Sequence, residues 1–300
     1  MMPAPGVGAG VGSGVGFGER VVAAVRSSGP LCAGIDPSAA LLAQWGLPDD
    51  AGGLRSFGLR CVEAFAGVVP VVKPQVAYFE RHGAAGFAAL EAVLAEARQA
   101  GLLVIADGKR GDIGSTSAAY AAAWLDDASP LASDAVTAVA YLGLGALAPM
   151  VEAARHSGRG VLVVVQSSNP EGRLVQDAVA SGGRSVADRL LGEISEMNGA
   201  GTGAGGDATT GAPSGPVGAV IGATLGRPVA TLAQFGGIVL APGVGAQGAT
   251  ASDVATLFAG CPAGTVLPSV SRSVLGAGPA VTDLRHAASQ VRDQMAAVLM

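Results

Sequence analysis

The chain has 300 residues, 50% of them apolar and 14% charged, so a sizeable buried core is within reach and wholesale disorder is excluded. Its formal net charge of −5 argues against nucleic-acid binding, which would need a basic patch to displace phosphate counterions. Cys32, Cys61 and Cys261 lie far apart in no C-x-x-C, and read as buried thiols rather than a disulfide framework or a zinc site. His82, His156 and His286 share no ligand spacing, so no metal site is expected.

The first residues, 1–17, alternate glycine with small side chains and lack the basic start and continuous apolar stretch of a signal peptide, so they read as a disordered tail. From 18 to 300 short β-branched runs alternate with longer amphipathic stretches. The expected strands are Leu31–Ile35, Val69–Val76, Leu102–Ala106, Ala135–Val139, Gly160–Val165, Gly218–Gly222, Gly237–Leu240 and Gly264–Leu267. Each is short and apolar on both faces, which suits a parallel sheet covered by helices. Between them, Phe87, Leu90, Leu94 and Ala97 fall at helical spacing, with Gly101 placed to end the helix. Leu284, Ala288, Val291, Met295 and Val298 form the stripe of a last helix, which Thr282 is placed to cap. Eight strand–helix units over roughly 250 residues is the arithmetic of a single (β/α)8 TIM barrel. A doubly wound open sheet is the competing architecture.

The segment 198–216 breaks this rhythm with many glycines, one charge and no large apolar residue, and reads as a flexible insertion before the sixth strand; an interdomain linker is the alternative. Mean hydropathy is high, at +0.47, but the longest uncharged run, 228–252, is broken by Gly236, Gly237, Pro242, Gly243, Gly245 and Gly248. A membrane span is therefore not expected, and the chain reads as a soluble, cytoplasmic protein.

Lysine is informative by its scarcity: Lys73 and Lys109 are the only two, and both end expected strands. An ammonium, unlike a guanidinium, can give up its proton at accessible pH, and the C-terminal strand ends are the catalytic face of a barrel. Asp107 and Lys109, two apart, point to one side of an extended backbone, with Asp112 following at the next helix. Carboxylates around an ammonium keep it protonated and poised to donate. The plainer alternatives are a surface ion pair and a helix-terminal aspartate. Near the C-terminus, Gly243-Val244-Gly245-Ala246-Gln247-Gly248 follows the seventh strand and Ser271-Arg272-Ser273 the eighth. As a dinucleotide fingerprint the glycine loop is weak, having no acidic residue some twenty positions on. As a phosphate grip it is stronger, because barrels build that site from the loops after strands seven and eight. Asp36 after the first strand and Gln166-Ser167-Ser168-Asn169-Pro170 after the fifth add further polar strand ends. The residues thus describe a barrel enzyme for a phosphorylated substrate, with a lysine acid flanked by carboxylates.

Asp107-Gly108-Lys109-Arg110-Gly111-Asp112-Ile113 resembles the D-x-K-x-x-D-I signature of the orotidine 5′-phosphate decarboxylase family. Val72–Glu80, Ser168-Asn169-Pro170, Ala241–Gly248 and Ser271-Arg272-Ser273 are similar to that family in order and spacing, and the K-P-Q-x-A-Y-F-E form to its bacterial type 2 branch. Ser271 stands where many relatives place glycine, and Asn169 where others have histidine. The resemblance implies conversion of orotidine 5′-phosphate to UMP, the last step of pyrimidine nucleotide synthesis, without metal or organic cofactor. It further implies that Lys109 protonates C6 and that Asp107 sits against the leaving carboxylate. Lys73 and Asp36 would hold the ribose, Ser168 and the adjoining Pro170 the pyrimidine, and Gln247 and Arg272 the phosphate. Asp112 and Thr116 would cross a homodimer interface into the partner's site. Related barrels that use Mg²⁺ carry an acidic ligand at the second strand, where this chain has Lys73, a cation that would repel the metal. A catalytically silent phosphosugar-binding barrel is the rival of another class; it would need the phosphate loops but not the array of Lys73, Asp107, Lys109 and Asp112.

Overall fold

In the computed structural model, which describes residues 14–199, 215–225 and 232–300, eight parallel strands pair in sequence order and the last closes on the first. They are β1 (Cys32–Ile35), β2 (Val71–Pro74), β3 (Leu103–Arg110), β4 (Ala135–Val139), β5 (Gly160–Gln166), β6 (Val217–Ile221), β7 (Val239–Pro242) and β8 (Val266–Val270). Closure removes the open-sheet alternative and leaves the barrel without edges.

Strand ends differ from expectation for local reasons. Gly237 and Gly264 lead into β7 and β8 instead of pairing within them. Gly264 has φ +82°, and a side chain on Gly237 would overlap the Val217 carbonyl. The third strand runs four residues further than its apolar stretch, through Asp107 to Arg110, because its polar end still pairs with β4 at Arg110↔Ala138.

Period-two alternation divides each strand between two cores. Cys32, Val71, Ile105, Ala135, Leu162, Val220, Leu240 and Leu267 point into the barrel. There they meet Phe17, Val21, Val22 and Val25 of the helix Phe17–Ser28, which plugs the N-terminal end. The alternate residues, such as Ala33, Val72, Val104, Val136 and Val163, join the larger outer core beneath the helices. In the helix Gly83–Gln99, Leu90, Leu94 and Ala97 are fully buried and Phe87 partly so, and Gly101 follows at φ +75°. The last helix, Val281–Leu299, buries Leu284, Ala288 and Met295 but leaves Val298 exposed. Thr282 is not its cap: the helix begins one residue earlier behind Ala280, which makes no side-chain cap, and the Thr282 hydroxyl faces Asp283.

Of the expected tail, residues 1–13 lie outside the described residues, and Phe17, at 2% exposure, already belongs to the barrel plug. Most of the expected insertion, 200–214, also lies outside them. Its flanks are joined where the Asn198 amide donates to the Val217 carbonyl (2.7 Å) and accepts from the Val217 N–H (3.2 Å). Among the described residues no helix is long and apolar enough to cross a membrane.

Candidate active site

Two residues beyond the inward apolar layer, four of these strands turn polar. Val71 is followed inward by Lys73, Ile105 by Asp107, Ala135 by Thr137 and Leu267 by Ser269. All four polar residues line one cavity of about 320 Å³ at the C-terminal end of the barrel, a volume suited to a small organic ligand. The barrel thus seals its lower half with hydrocarbon and builds the site on top of it.

Asp107 is the centre of this layer. Its Oδ1 accepts from Lys109 Nζ (2.6 Å) and Thr137 Oγ1 (2.9 Å), and its Oδ2 from Lys73 Nζ and Gln75 Nε2 (both 2.9 Å). Burial opposes the charge of Asp107, but the ammoniums of Lys73 and Lys109 outweigh it and hold the carboxyl well below the usual carboxylate range. For Lys73, burial acts to lower the pKa; the carboxylates of Asp107 and Asp36 prevail and raise it above its ordinary value. Lys73 and Asp107 are therefore a fixed, buried ion pair. Lys109 differs, with 49% of its side chain exposed. It is also the one non-glycine residue with positive φ (+46°) among the described residues.

The cavity is also lined by Asp36, Ser168, Gln247, Ser271 and Arg272. Asp36 Oδ1 is buried with no hydrogen-bond partner among the described residues, a costly arrangement unless a ligand supplies the donor. Ser168 Oγ donates to Gln247 Oε1 (2.9 Å), tying the loop after β5 to that after β7. Gly243, Gly245 and Gly248 take φ of +109°, +74° and +101°, a turn sequence that side chains would strain. Arg272 opens the short helix Arg272–Leu275 behind Ser271, on the cavity rim.

Three expected site residues stand apart. Asp112, Thr116 and Pro170 do not line the cavity. The Asp112 carboxylate accepts from the Ile113 N–H (2.8 Å), and Asp112 precedes the helix Gly114–Leu125 by two residues rather than opening it. Thr116 is exposed on that helix, and Pro170 is exposed at the start of the turn Pro170–Gly172. Conversely, the sequence reading assigned no role to Thr137 or Gln75. The signal for Thr137 was a lone hydroxyl two positions after an inward apolar residue, the offset that also yields Lys73 and Asp107.

None of the three cysteines lines the cavity. Cys32 and Cys61 are fully buried, and burial pushes Cys32 up to about 12 despite the nearby Lys73. Cys261 is only partly buried, and its desolvation raises it to about 11.

The family model described as orotidine 5′-phosphate decarboxylase / HUMPS matches residues 29–287. Orotidine 5′-phosphate decarboxylase of Salinispora arenicola is 51% identical over 275 residues, covering 92% of this chain and 95% of its own. That of Corynebacterium efficiens is 48% identical over 274 residues, covering 91% and 95%. A crystal structure from Streptomyces avermitilis assigned to the same enzyme superposes with a TM-score of 0.86 at 48% identity, covering 95% of this chain and 96% of that one. The chain belongs to the orotidine 5′-phosphate decarboxylase family.

Proposed function

We propose that, in the decarboxylation of orotidine 5′-phosphate to UMP that family membership assigns to this chain, Lys109 is the proton donor to C6. The observation that carries this reading is the Lys109–Asp107 contact of 2.6 Å at the floor of the cavity. The C6–carboxylate bond breaks, its electron pair stays on C6, and CO₂ leaves. The Lys109 ammonium then transfers a proton to that carbon and, being half exposed, regains one from solvent. Until transfer, a fixed cation beside the developing carbanion is the electrostatic stabilisation the step needs. In this reading Asp107 sits against the leaving carboxylate, and Lys73 stays charged beside Asp107.

The remaining roles follow the cavity wall. Asp36, with its unpartnered oxygen, and Lys73 hold the ribose hydroxyls. Ser168 contacts the pyrimidine, while Pro170, two residues on in the same loop, lies outside the cavity and could meet substrate only if that loop moves. Gln247 and Arg272 grip the phosphate, whose binding energy can serve the remote bond-breaking step by closing the glycine loop and expelling water. Asp112 and Thr116, outside the cavity of their own subunit, reach the site of a second copy in a homodimer. The reaction proceeds without metal or organic cofactor, in the cytoplasm. A divalent metal is disfavoured by the donor set, since the central carboxylate is already shared by two ammoniums, one of them at the second strand.

The test is the fall in substrate absorbance on adding purified protein, with and without EDTA. Turnover indifferent to EDTA supports the reading; turnover that requires Mg²⁺ would transfer the chain to the sugar-phosphate side of its family.

A further inference from the structure

We infer that Thr137 is a positioning residue for proton transfer, its one hydroxyl setting both the backbone of Lys109 and the carboxylate that Lys109 meets. The inference rests on the proton-donor reading of Lys109. Parallel pairing between β3 and β4 runs through Ala106↔Val136 and resumes only at Arg110↔Ala138, so Asp107, Gly108 and Lys109 bulge against the single residue Thr137. A bulge leaves backbone groups without ladder partners and re-aims the side chains it carries. Here the orphaned Lys109 N–H donates to Thr137 Oγ1 at 2.9 Å, and that hydroxyl donates to Asp107 Oδ1 at 2.9 Å. The same Oδ1 accepts from Lys109 Nζ at 2.6 Å.

A threonine hydroxyl has one proton and two lone pairs, so it can accept from the Lys109 backbone and donate to Asp107 at once. At 1% exposure no water competes for it, and β-branching restricts its χ1. Lys109 is held at φ +46°, a conformation costly for a non-glycine residue that persists only where neighbours fix it. The Thr137 hydroxyl is that neighbour. It turns an unfavourable backbone state into one that sends Nζ back onto the carboxylate.

The experiment is steady-state decarboxylation by full-length Thr137→Val and Thr137→Ser, with UMP affinity measured beside it. Thr137→Val keeps the shape without the hydroxyl and is expected to lower kcat about 30- to 100-fold, the scale of a misplaced catalytic group. KM and UMP affinity should stay within about threefold, a split that general loss of structure would not produce. Thr137→Ser restores the hydroxyl and should recover kcat to within about threefold of the parent. Unchanged kcat in Thr137→Val overturns the inference, as does a Thr137→Ser no faster than Thr137→Val. If Thr137→Val does not fold, Thr137→Ser decides alone: near-parent kcat supports the hydroxyl, and a loss of about tenfold or more overturns it. Lys109→Ala run in parallel separates the two readings. Persistent turnover there removes the proton donor itself, whereas an inactive Lys109→Ala beside a normal Thr137→Val removes only the positioning role.

Discussion

Lys109 and Asp107 touch at 2.6 Å yet live in different environments, half of the lysine side chain being exposed and only 10% of the aspartate's. A buried, doubly paired carboxylate is fixed; an exposed ammonium beside it can exchange protons with solvent between turnovers. Lys109→Ala is therefore expected to cut turnover by at least about 1000-fold, combining the loss of the acid with that of the cation beside the carbanion. UMP binding, followed by calorimetry, should change by only a few-fold. Equal loss of binding and turnover would mean that Lys109 holds substrate and does not donate the proton.

The Lys73–Asp107 pair has a defined pH signature. The folded pKa of Asp107 lies below its unfolded value, about 3.9, so its stabilisation is complete above that and is lost as pH falls through the folded value. The folded pKa of Lys73 lies above its unfolded value, about 10.4, so its contribution is complete below that and fades as pH rises through the folded value. Asp107→Asn leaves a buried ammonium without its main partner, which should cost about 3 kcal/mol at neutral pH. With that partner gone, burial is opposed mainly by Asp36, so the Lys73 pKa should fall and the deficit shrink toward pH 9.5 as the amine begins to neutralise. Urea unfolding of both proteins at pH 7 and 9.5 measures it; a deficit independent of pH would place the damage elsewhere.

Much of this centre could be read from the chain, and the limits have physical causes. Barrel topology followed from two-sided apolar strands, and Lys73, Asp107 and Lys109 from charge placed at strand ends. The expected β3 end falls too early because polar residues end an apolar run before they end a ladder: pairing at Arg110 depends on a bulge that no periodicity reveals. Thr137 went unread because one hydroxyl in AVTAV is ordinary strand composition until the inward face is known. Pro170 was assigned from a motif alone, and the structure leaves it outside the cavity.

At the opposite end of the barrel, Gly160 opens β5 against the ring of the plug residue Phe17. A methyl on Gly160 would lie 2.7 Å from Phe17 Cγ, and neither the strand nor a 2%-exposed ring has room to yield. Gly160→Ala is expected to lose about 1–3 kcal/mol by overpacking, and Phe17→Ala about 3–5 kcal/mol by leaving a cavity. Both should retain kcat when assayed below their melting temperatures, because the plug and the catalytic layer are separated by the apolar layer. A kcat that falls with stability would show that the plug shapes the site.

Asp112 offers a test of the shared site that needs no structure of the dimer. A protein carrying Asp112→Ala and one carrying Lys109→Ala are each expected to be nearly inactive. If Asp112 serves the partner's site, subunit exchange creates heterodimers in which one site is intact, and random mixing should recover about a quarter of parental activity. No recovery after demonstrated exchange would return Asp112 to a local role, consistent with its bond to the Ile113 N–H.

The end of the cavity proposed for the phosphate ties β1 to β8. Gly34 faces Ser271, which precedes Arg272, and a methyl on Gly34 would overlap the Ser271 hydroxyl and lie 2.8 Å from its Cβ. Arg272→Ala removes a charge-assisted contact and should raise KM about 10- to 100-fold, with a smaller effect on kcat. Gly34→Ala should move KM the same way but less, because it shifts the residue before the guanidinium and leaves the guanidinium itself. Arg272→Ala leaves the Lys73–Asp107–Lys109 array untouched, so its single-turnover rate at saturating substrate should fall least, whereas Gly34 pairs with Lys73 across the sheet and a methyl there also approaches Asp36. An unchanged KM in Arg272→Ala would place the phosphate elsewhere in the cavity; an unchanged KM in Gly34→Ala alone would show that Ser271 rotates aside without disturbing its neighbour.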